Sequence, residues 1–438
     1  MTTSITRKKG PKIKHFNITP IATVDPPLLN AAGLHAPYAL RIVVELITDD
    51  NIAGISEIPG TVDIEKALNA CKHLIIGQDP FQINKINDTL IAHFGTDNIA
   101  DRGLFPWDSR KLVHIFSAIE VACMDIMGKI INRPVVDLLG GKRRDSVPFS
   151  AYLFYKYEGA GGELAFGIDT KAKGWAAARQ SSALNPEEIV AQAKAMCKSF
   201  GFQSIKLKGG VFEPRQEVDA VFALRKAFGE NVPIRIDPNA LWTVETAIKY
   251  GKEMEGLIEY LEDPVRGQDH MATVRKALKT PLATNMCTTS FEDIPLSIQR
   301  GSEDIILSDH HFWGGLQASM TLAGVCQTFG RDLSMHSNSH LGISLAAMVH
   351  LGAAIPNLRY ALDTHYPWQS DEIITSGRFK FEDGQVEVPK GAGLGVELDK
   401  KALAVLHQNY INCGLTKRND EIEMQKVQPD WTFKQTRW

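Results

Sequence analysis

Two lysines, Lys206 and Lys208, alternate with Ile205 and Leu207 in the stretch SIKLKGG. On a strand, residues two apart share a face, so both ammonium groups point the same way. Like charges that close repel, and a neighbouring cation lowers a lysine's pKa toward the range where a free amine takes a proton. Lys208 lies nearer the end of the run and is the expected base. Lys206 is expected to lower its pKa and to bind substrate oxygen. The plainer alternative is a pair of salt-bridged interior residues.

Three later runs end in Asp237, Glu262 and Asn285. Two carboxylates and an amide are hard oxygen ligands that suit Mg²⁺, with Mn²⁺ sharing the preference, and they leave positions open for substrate. Alone, each would be a cap or turn residue, as Asp263 before Pro264 is expected to be. In succession at run ends they indicate a metal site. Asp309 and His336 end two further runs, and a carboxylate one strand away would hold the histidine ring and raise its basicity. A core role for His336 fits poorly with its polar setting, SMHSNSH. Bases on both sides of a divalent metal suit removal of the proton next to a carboxylate, with electrostatic stabilisation of the ene-diolate. Reprotonation would give racemisation or epimerisation. Loss of a β-hydroxyl would give dehydration.

Such residues must be carried to one place. The runs FSAYLFY, SIKLKGG, PIRIDPN, IEYLEDP, PLATNM, DIILSD, DLSMHS and LRYALDTH follow one another, and most are separated by helical patterns such as PRQEVDAVFALRKAFG. From the second run onward they recur roughly every 22–29 residues, the repeat of a closed parallel (β/α) barrel more than of an open sheet. Active sites of such barrels lie at the C-terminal strand ends, where these polar residues stand. The open doubly wound sheet lacks its Gly-rich phosphate turn, and GAGLG at 391–395 comes too late to be one. Before the barrel, LRIVVELIT and IAGISEIPG flank Asp49, Asp50 and Asn51 as a hairpin, followed by helical DIEKALNACKHLIIG and RKLVHIFSAIEVACMDIMGKI. The expected division is an α+β capping domain over 1–143, the barrel over 144–370, and a segment over 371–438 that completes the barrel and returns to the cap.

Composition narrows the partners. The chain is 44% hydrophobic and 23% charged, with a net charge of −3, which argues against recruitment to nucleic acid or membrane by bulk charge. The basic start RKKGPKIK is expected to be a solvated tail; no apolar run follows it as in a signal peptide, and none in the chain is long enough to span a bilayer. Six scattered cysteines without a CxxC pair suggest reduced thiols in the cytoplasm.

The K-x-K run, Asp237-Pro238-Asn239, the EDP run and the Asp309/His336 pair resemble the mandelate racemase branch of the enolase superfamily. AIEVACMDIMGKIINRPVVDLLGG is similar to that superfamily's link from cap to barrel. Within the branch the chain resembles glucarate dehydratases, which use Asn as third metal ligand, here Asn285 in ATNM. NAAGLHAPYALR, DPNALW, DHHFW, HSNSHLGISLA, DTHYPWQ and KRNDEIEMQKVQPDWTF extend the match over almost the whole chain. The resemblance implies an oligomeric, Mg²⁺-dependent lyase acting on an acid sugar. D-glucarate and L-idarate would give a 5-keto-4-deoxy-glucarate product; another aldarate or aldonate, or epimerisation, is the alternative. It implies Lys208 and His336 as opposed bases supported by Lys206 and Asp309, Asn239 assisting, and Asp237, Glu262 and Asn285 as metal ligands. Asn30, His35, Tyr152, Ser337, Asn338, His365 and Arg418 would hold the substrate. The chain departs from that family at Pro106, where a threonine is usual, at Ala240-Leu241 in place of Gly-Ala, and in a shorter loop after Pro264.

Overall fold

The structure, a computed structural model, describes residues 10–95, 110–162 and 166–438. The departure at Pro106 and the first residues of the basic start lie outside them. The anticipated hairpin forms between Tyr38–Thr48 and Ala53–Pro59, turning at Asn51 with a left-handed φ of 61°. A third strand, Ile13–Val24, lies antiparallel to Tyr38–Thr48, with Ile18 opposite Val44. It was not expected: it alternates weakly, carries Pro20, and begins inside what reads as a charged tail. Helix Ile83–Phe94 was missed as well. Helix Lys111–Ile131 packs on strand Ala53–Pro59 and contacts helix Val62–Ile75. Its residues Leu112 to Ile126 are all buried, which explains why it is apolar nearly all round.

The barrel follows. Strands Ala151–Phe154, Ile205–Lys208, Ile234–Asp237, Tyr260–Glu262, Leu282–Thr284, Ile305–Ser308 and Asp332–Met335 are all parallel and neighbour one another in chain order. The eighth run differs from expectation, because it forms no continuous strand. It bridges both edges instead: Leu358 pairs with Leu333 and Leu362 with Phe149. The Leu362 N–H donates to the Pro148 carbonyl at 2.8 Å and the Asp363 N–H to that of Met335 at 3.1 Å. Seven strands and one bridging segment thus curl the sheet toward closure. Its interior is filled low down by Arg235, which donates to the Tyr260 hydroxyl at 2.5 Å and the Ala361 carbonyl at 2.7 Å.

The C-terminal part returns along the molecule. Strand Gln385–Glu387 pairs with Ser146–Pro148. Helix Lys400–Cys413 packs on strand Ile13–Val24, and His407 Nδ1 meets the Pro20 carbonyl at 2.7 Å. Helix Asp420–Gln425 lies against Gly33–Leu34 of the cap. The last residues fasten to the barrel, where the Arg437 N–H donates to the Leu241 carbonyl at 2.8 Å. No helix among the described residues is long and apolar enough to cross a membrane.

Cap and barrel are also joined by Glu120. Its carboxylate accepts the Leu316 and Gln317 N–H groups at 2.9 and 3.0 Å, at the start of helix Leu316–Thr328. Burial outweighs these donors and pushes Glu120 up to about 7 from an ordinary 4.5. The folded chain therefore keeps this proton longer than the unfolded chain does. The stability it contributes is full below pH 4.5 and is lost as pH rises through about 7. Glu120→Gln should remove that slope. Urea unfolding at pH 5 and at pH 8 should show the variant gaining on the wild type as pH rises; a constant difference would contradict this.

Candidate active site

Lys206 and Lys208 leave strand Ile205–Lys208 on one face, as the two-residue period requires, yet their surroundings differ. Lys206 is fully buried; its Nζ lies 2.5 Å from Glu262 Oε2, 2.6 Å from Asp363 Oδ2 and 3.7 Å from Asp237 Oδ2, and 4.7 Å above the Tyr152 ring. Burial alone would lower its pKa, but Asp363 and Glu262 outweigh it and hold Lys206 well above the ordinary value, permanently charged. Lys208 Nζ meets Asp237 Oδ2 at 2.6 Å. Burial is the largest influence on Lys208 and lowers it; Asp237 opposes, Lys206 adds to the lowering, and the net lies below the ordinary value. The two lysines thus differ more by their buried surroundings than by mutual repulsion.

The oxygen ligand candidates crowd the same floor. Asn285 Nδ2 donates to Glu262 Oε1 at 2.8 Å, and Asn239 donates from its backbone and its Nδ2 to Asp237 Oδ1 at 2.9 and 2.8 Å. Asp263 is more than the turn residue expected from the sequence: its Oδ2 accepts the Asn285 N–H at 2.8 Å, and its Oδ1 accepts the Thr284 hydroxyl. It therefore fixes the strand end that presents Asn285. Burial and the neighbouring Asp237 raise Glu262 well above an ordinary carboxyl. Among the described residues, Asn239 Oδ1 is buried without a hydrogen-bond partner, and Glu262 Oε2 has no aligned hydrogen bond despite Lys206 beside it. Crowded carboxylates with unmatched oxygens fit a divalent cation. Asp309, His310 and His311 also cluster, with ligand atoms within 4.8 Å of one another. Hydrogen bonds account for Asp309 and His311, since His311 Nδ1 meets Asp309 Oδ1 at 2.8 Å and its Nε2 meets the Glu57 carbonyl at 2.9 Å, whereas His310 Nδ1 is buried without a hydrogen-bond partner among the described residues.

Opposite the lysines, His336 Nδ1 lies 3.2 Å from Asp309 Oδ2, and its ring stacks on Phe312 at 5.0 Å. A carboxylate only accepts, so Nδ1 carries the proton. The arrangement is held from the cap. Arg41 Nη1 donates to Asn338 Oδ1 at 2.7 Å; because Arg only donates, the amide must turn its Nδ2 toward Asp309 Oδ2, at 3.1 Å. Glu57 pairs with Arg41 at 2.9 Å and accepts the Leu341 and Ser344 N–H groups, anchoring the segment that follows His336.

One cavity, of about 130 Å³, joins these parts. Lys208 and His336 line it, together with Asn30, His35, Tyr152, Ser337, Asn338, His365 and Arg418, so all seven residues expected to touch substrate share its wall. Lys206, Asp309, Asn239, Asp237, Glu262 and Asn285 are not lining residues and lie behind it. The Lys206 ammonium group is paired with Glu262 and Asp363, with Asp237 at 3.7 Å. The far end is a hydrogen-bonded chain: His35 Nδ1 donates to Asp25 at 2.8 Å, His35 Nε2 accepts from Arg418 at 2.8 Å, and Arg418 pairs with Asp420, which also receives Asn30 Nδ2 at 2.6 Å. Sequence reasoning missed Arg41, Glu57, Asp25 and Asp420. A charged residue opening the apolar run LRIVVELIT was the one signal that marked Arg41.

Comparison with known proteins agrees with this architecture. Residues 18–140 match the family described as "Mandelate racemase / muconate lactonizing enzyme, N-terminal domain", and residues 188–402 match "Enolase C-terminal domain-like". A probable glucarate dehydratase of Streptomyces coelicolor is 42% identical over 429 residues, covering 96% of this chain and 97% of the relative. A solved enolase from Thermobispora bispora, complexed with magnesium and formate, superposes with TM-score 0.91 at 47% identity, over 98% of this chain and 100% of that one. One from Mycobacterium smegmatis, complexed with tartrate, gives 0.90 at 47% identity, over 98% and 99%. The chain belongs to the mandelate racemase / muconate lactonizing enzyme family of the enolase superfamily.

The departure at Ala240 has a physical consequence. Asn239 and Ala240 adopt left-handed φ values of 54° and 60°, beside the candidate ligand Asp237. Asparagine tolerates this region; alanine is strained by roughly 1 kcal/mol where glycine is not. Ala240→Gly should raise stability by up to about 1 kcal/mol in urea unfolding. A loss instead would show that packing of the buried Ala240 methyl outweighs the strain.

Proposed function

We propose that this member of the mandelate racemase / muconate lactonizing enzyme family dehydrates an acid sugar, a diacid of the glucarate or idarate type, with Mg²⁺ as its metal. The observation that carries the proposal is that Lys208 and His336 open from different strands onto one cavity, while Lys206 and the carboxylates lie locked behind it. Similarity to a probable glucarate dehydratase over nearly the whole chain supports the reaction class, and the neighbour complexed with tartrate, a hydroxy diacid, supports the ligand class.

Asp237, Glu262 and Asn285 would hold the metal, which when bound supplies positive charge opposite the ene-diolate. Lys208 as free amine, or His336 as neutral imidazole, takes the proton from the carbon next to the substrate carboxylate. The C–H electron pair moves into that carboxylate, giving the ene-diolate. The pair then returns to form a carbon–carbon double bond as the adjacent C–O bond breaks. His336 gives its proton to the departing hydroxyl, which leaves as water, and the enol becomes an α-keto acid. For the epimer deprotonated by Lys208, His336 must enter protonated; for the other, it donates the proton it has just taken. Asp309 keeps the His336 ring in place through both events. Arg418 and His35 would receive the distal carboxylate, with Asn30, Tyr152, Ser337, Asn338 and His365 shaping the cavity around the hydroxyls.

A panel of aldarates and aldonates, with Mg²⁺ and with chelator, tests the reading. A diacid should yield an α-keto acid in the presence of Mg²⁺ and none after chelation. No α-keto acid from any acid sugar would overturn the proposal. His336→Asn should lower dehydration by roughly 100-fold or more, the usual weight of a general acid. Calorimetry should show Mg²⁺ affinity unchanged in that variant; lost metal binding would refute the assigned roles.

A further inference from the structure

We infer that Glu217 is the positioning residue for Lys208, a role that rests on the dehydration proposed above. Glu217 lies in the first turn of helix Pro214–Phe228 and is fully buried. Its side chain reaches back over the turn by which the chain leaves Lys208. Oε2 accepts the Gly210 N–H at 3.0 Å, and Oε1 accepts those of Val211 and Phe212 at 2.8 and 3.0 Å. Three successive N–H groups converging on one acceptor form an anion nest, here filled by the protein's own carboxylate. This is not a helix cap. All three donors precede Pro214, so the carboxylate holds the loop and not the orphan N–H groups of its own helix.

The turn has no slack. A Cβ on Gly209 would stand 2.6 Å from Glu217 Oε2, and one on Gly210 would stand 2.6 Å from the Pro238 carbonyl oxygen and 3.4 Å from Ala31 Cβ. Gly210 also has a left-handed φ of 75°. The Gly209 N–H donates to the Asp237 carbonyl at 2.9 Å. The turn that follows the proposed base is therefore bonded to the backbone of a candidate metal ligand and leaves no room for a side chain toward the cap loop next to Asn30. Glu217 fixes the turn from behind. Proton transfer is sensitive to displacements of about 1 Å, so a loosened turn should penalise Lys208 selectively.

Glu217→Ala and Glu217→Gln in the full chain test this, with kcat and KM read separately on the two epimeric diacids and amide exchange read across residues 208–213. Exchange at Gly210, Val211 and Phe212 should quicken about tenfold or more in the Ala variant while strand Ile234–Asp237 stays protected. The kcat for the epimer deprotonated by Lys208 should fall roughly 10- to 100-fold at similar KM, and kcat for the epimer deprotonated by His336 should stay within about threefold. The Gln variant, which keeps one acceptor oxygen, should recover part of both effects. Equal losses on the two epimers, a change confined to KM, or unaltered exchange would overturn the role. If the wild type converts no acid sugar, the dehydration reading is what fails. Exchange alone then decides for Glu217, and unaltered exchange overturns it as the support of the turn.

Discussion

A single buried ammonium group holds the strand ends together. Lys206 Nζ reaches Glu262 and Asp363 within hydrogen-bond distance and stands 3.7 Å from Asp237, so it ties its own strand to two others and to the bridging eighth segment. Without it, several carboxylates would be buried with little compensation, a loss of roughly 3–5 kcal/mol for one broken buried pair. Because Lys206 must stay charged, Lys208 is the lysine of the pair that burial can bring toward neutrality. Position along the strand separates the two residues in sequence, and their buried partners make them unequal in charge.

The site is assembled from three parts of the chain, and each contributes charge together with its counter-charge. The cap brings Arg41 with Glu57; the C-terminal segment brings Arg418 with Asp420. Paired in this way, the groups can be buried at modest cost and still aim hydrogen bonds at the cavity. Arg41 also orients Asn338, and through it Asp309, so the cap takes part in holding His336 as well as in closing the cavity.

The barrel was legible because its signals are local: apolar runs at a steady spacing, each ending in a polar residue. Strand Ile13–Val24 was not, since its burial depends on strand Tyr38–Thr48, across an intervening loop, and on a helix near the other terminus. The eighth run read as a strand because periodicity records side-chain pattern and says nothing of how many ladder bonds the ends can make. The candidate bases Lys208 and His336 were visible as residue types at strand ends. Asp263 was misjudged because a pre-proline aspartate has the same local signature whether it turns the chain or holds the Asn285 N–H. Asn30, His35 and Arg418 carried no signal of their own, and family resemblance alone pointed to them. Glu57 was invisible for the same reason, since the backbone N–H groups it holds at Leu341 and Ser344 lie far along the sequence.

The central claim is that the lysine and the histidine address opposite faces of one carbon. The most direct measurement is solvent-deuterium incorporation next to the carboxylate in Lys208→Ala and His336→Asn, each given both epimers. Each variant should lose exchange with one epimer and keep it with the other, in opposite sense. Loss of exchange with the same epimer in both variants would contradict it.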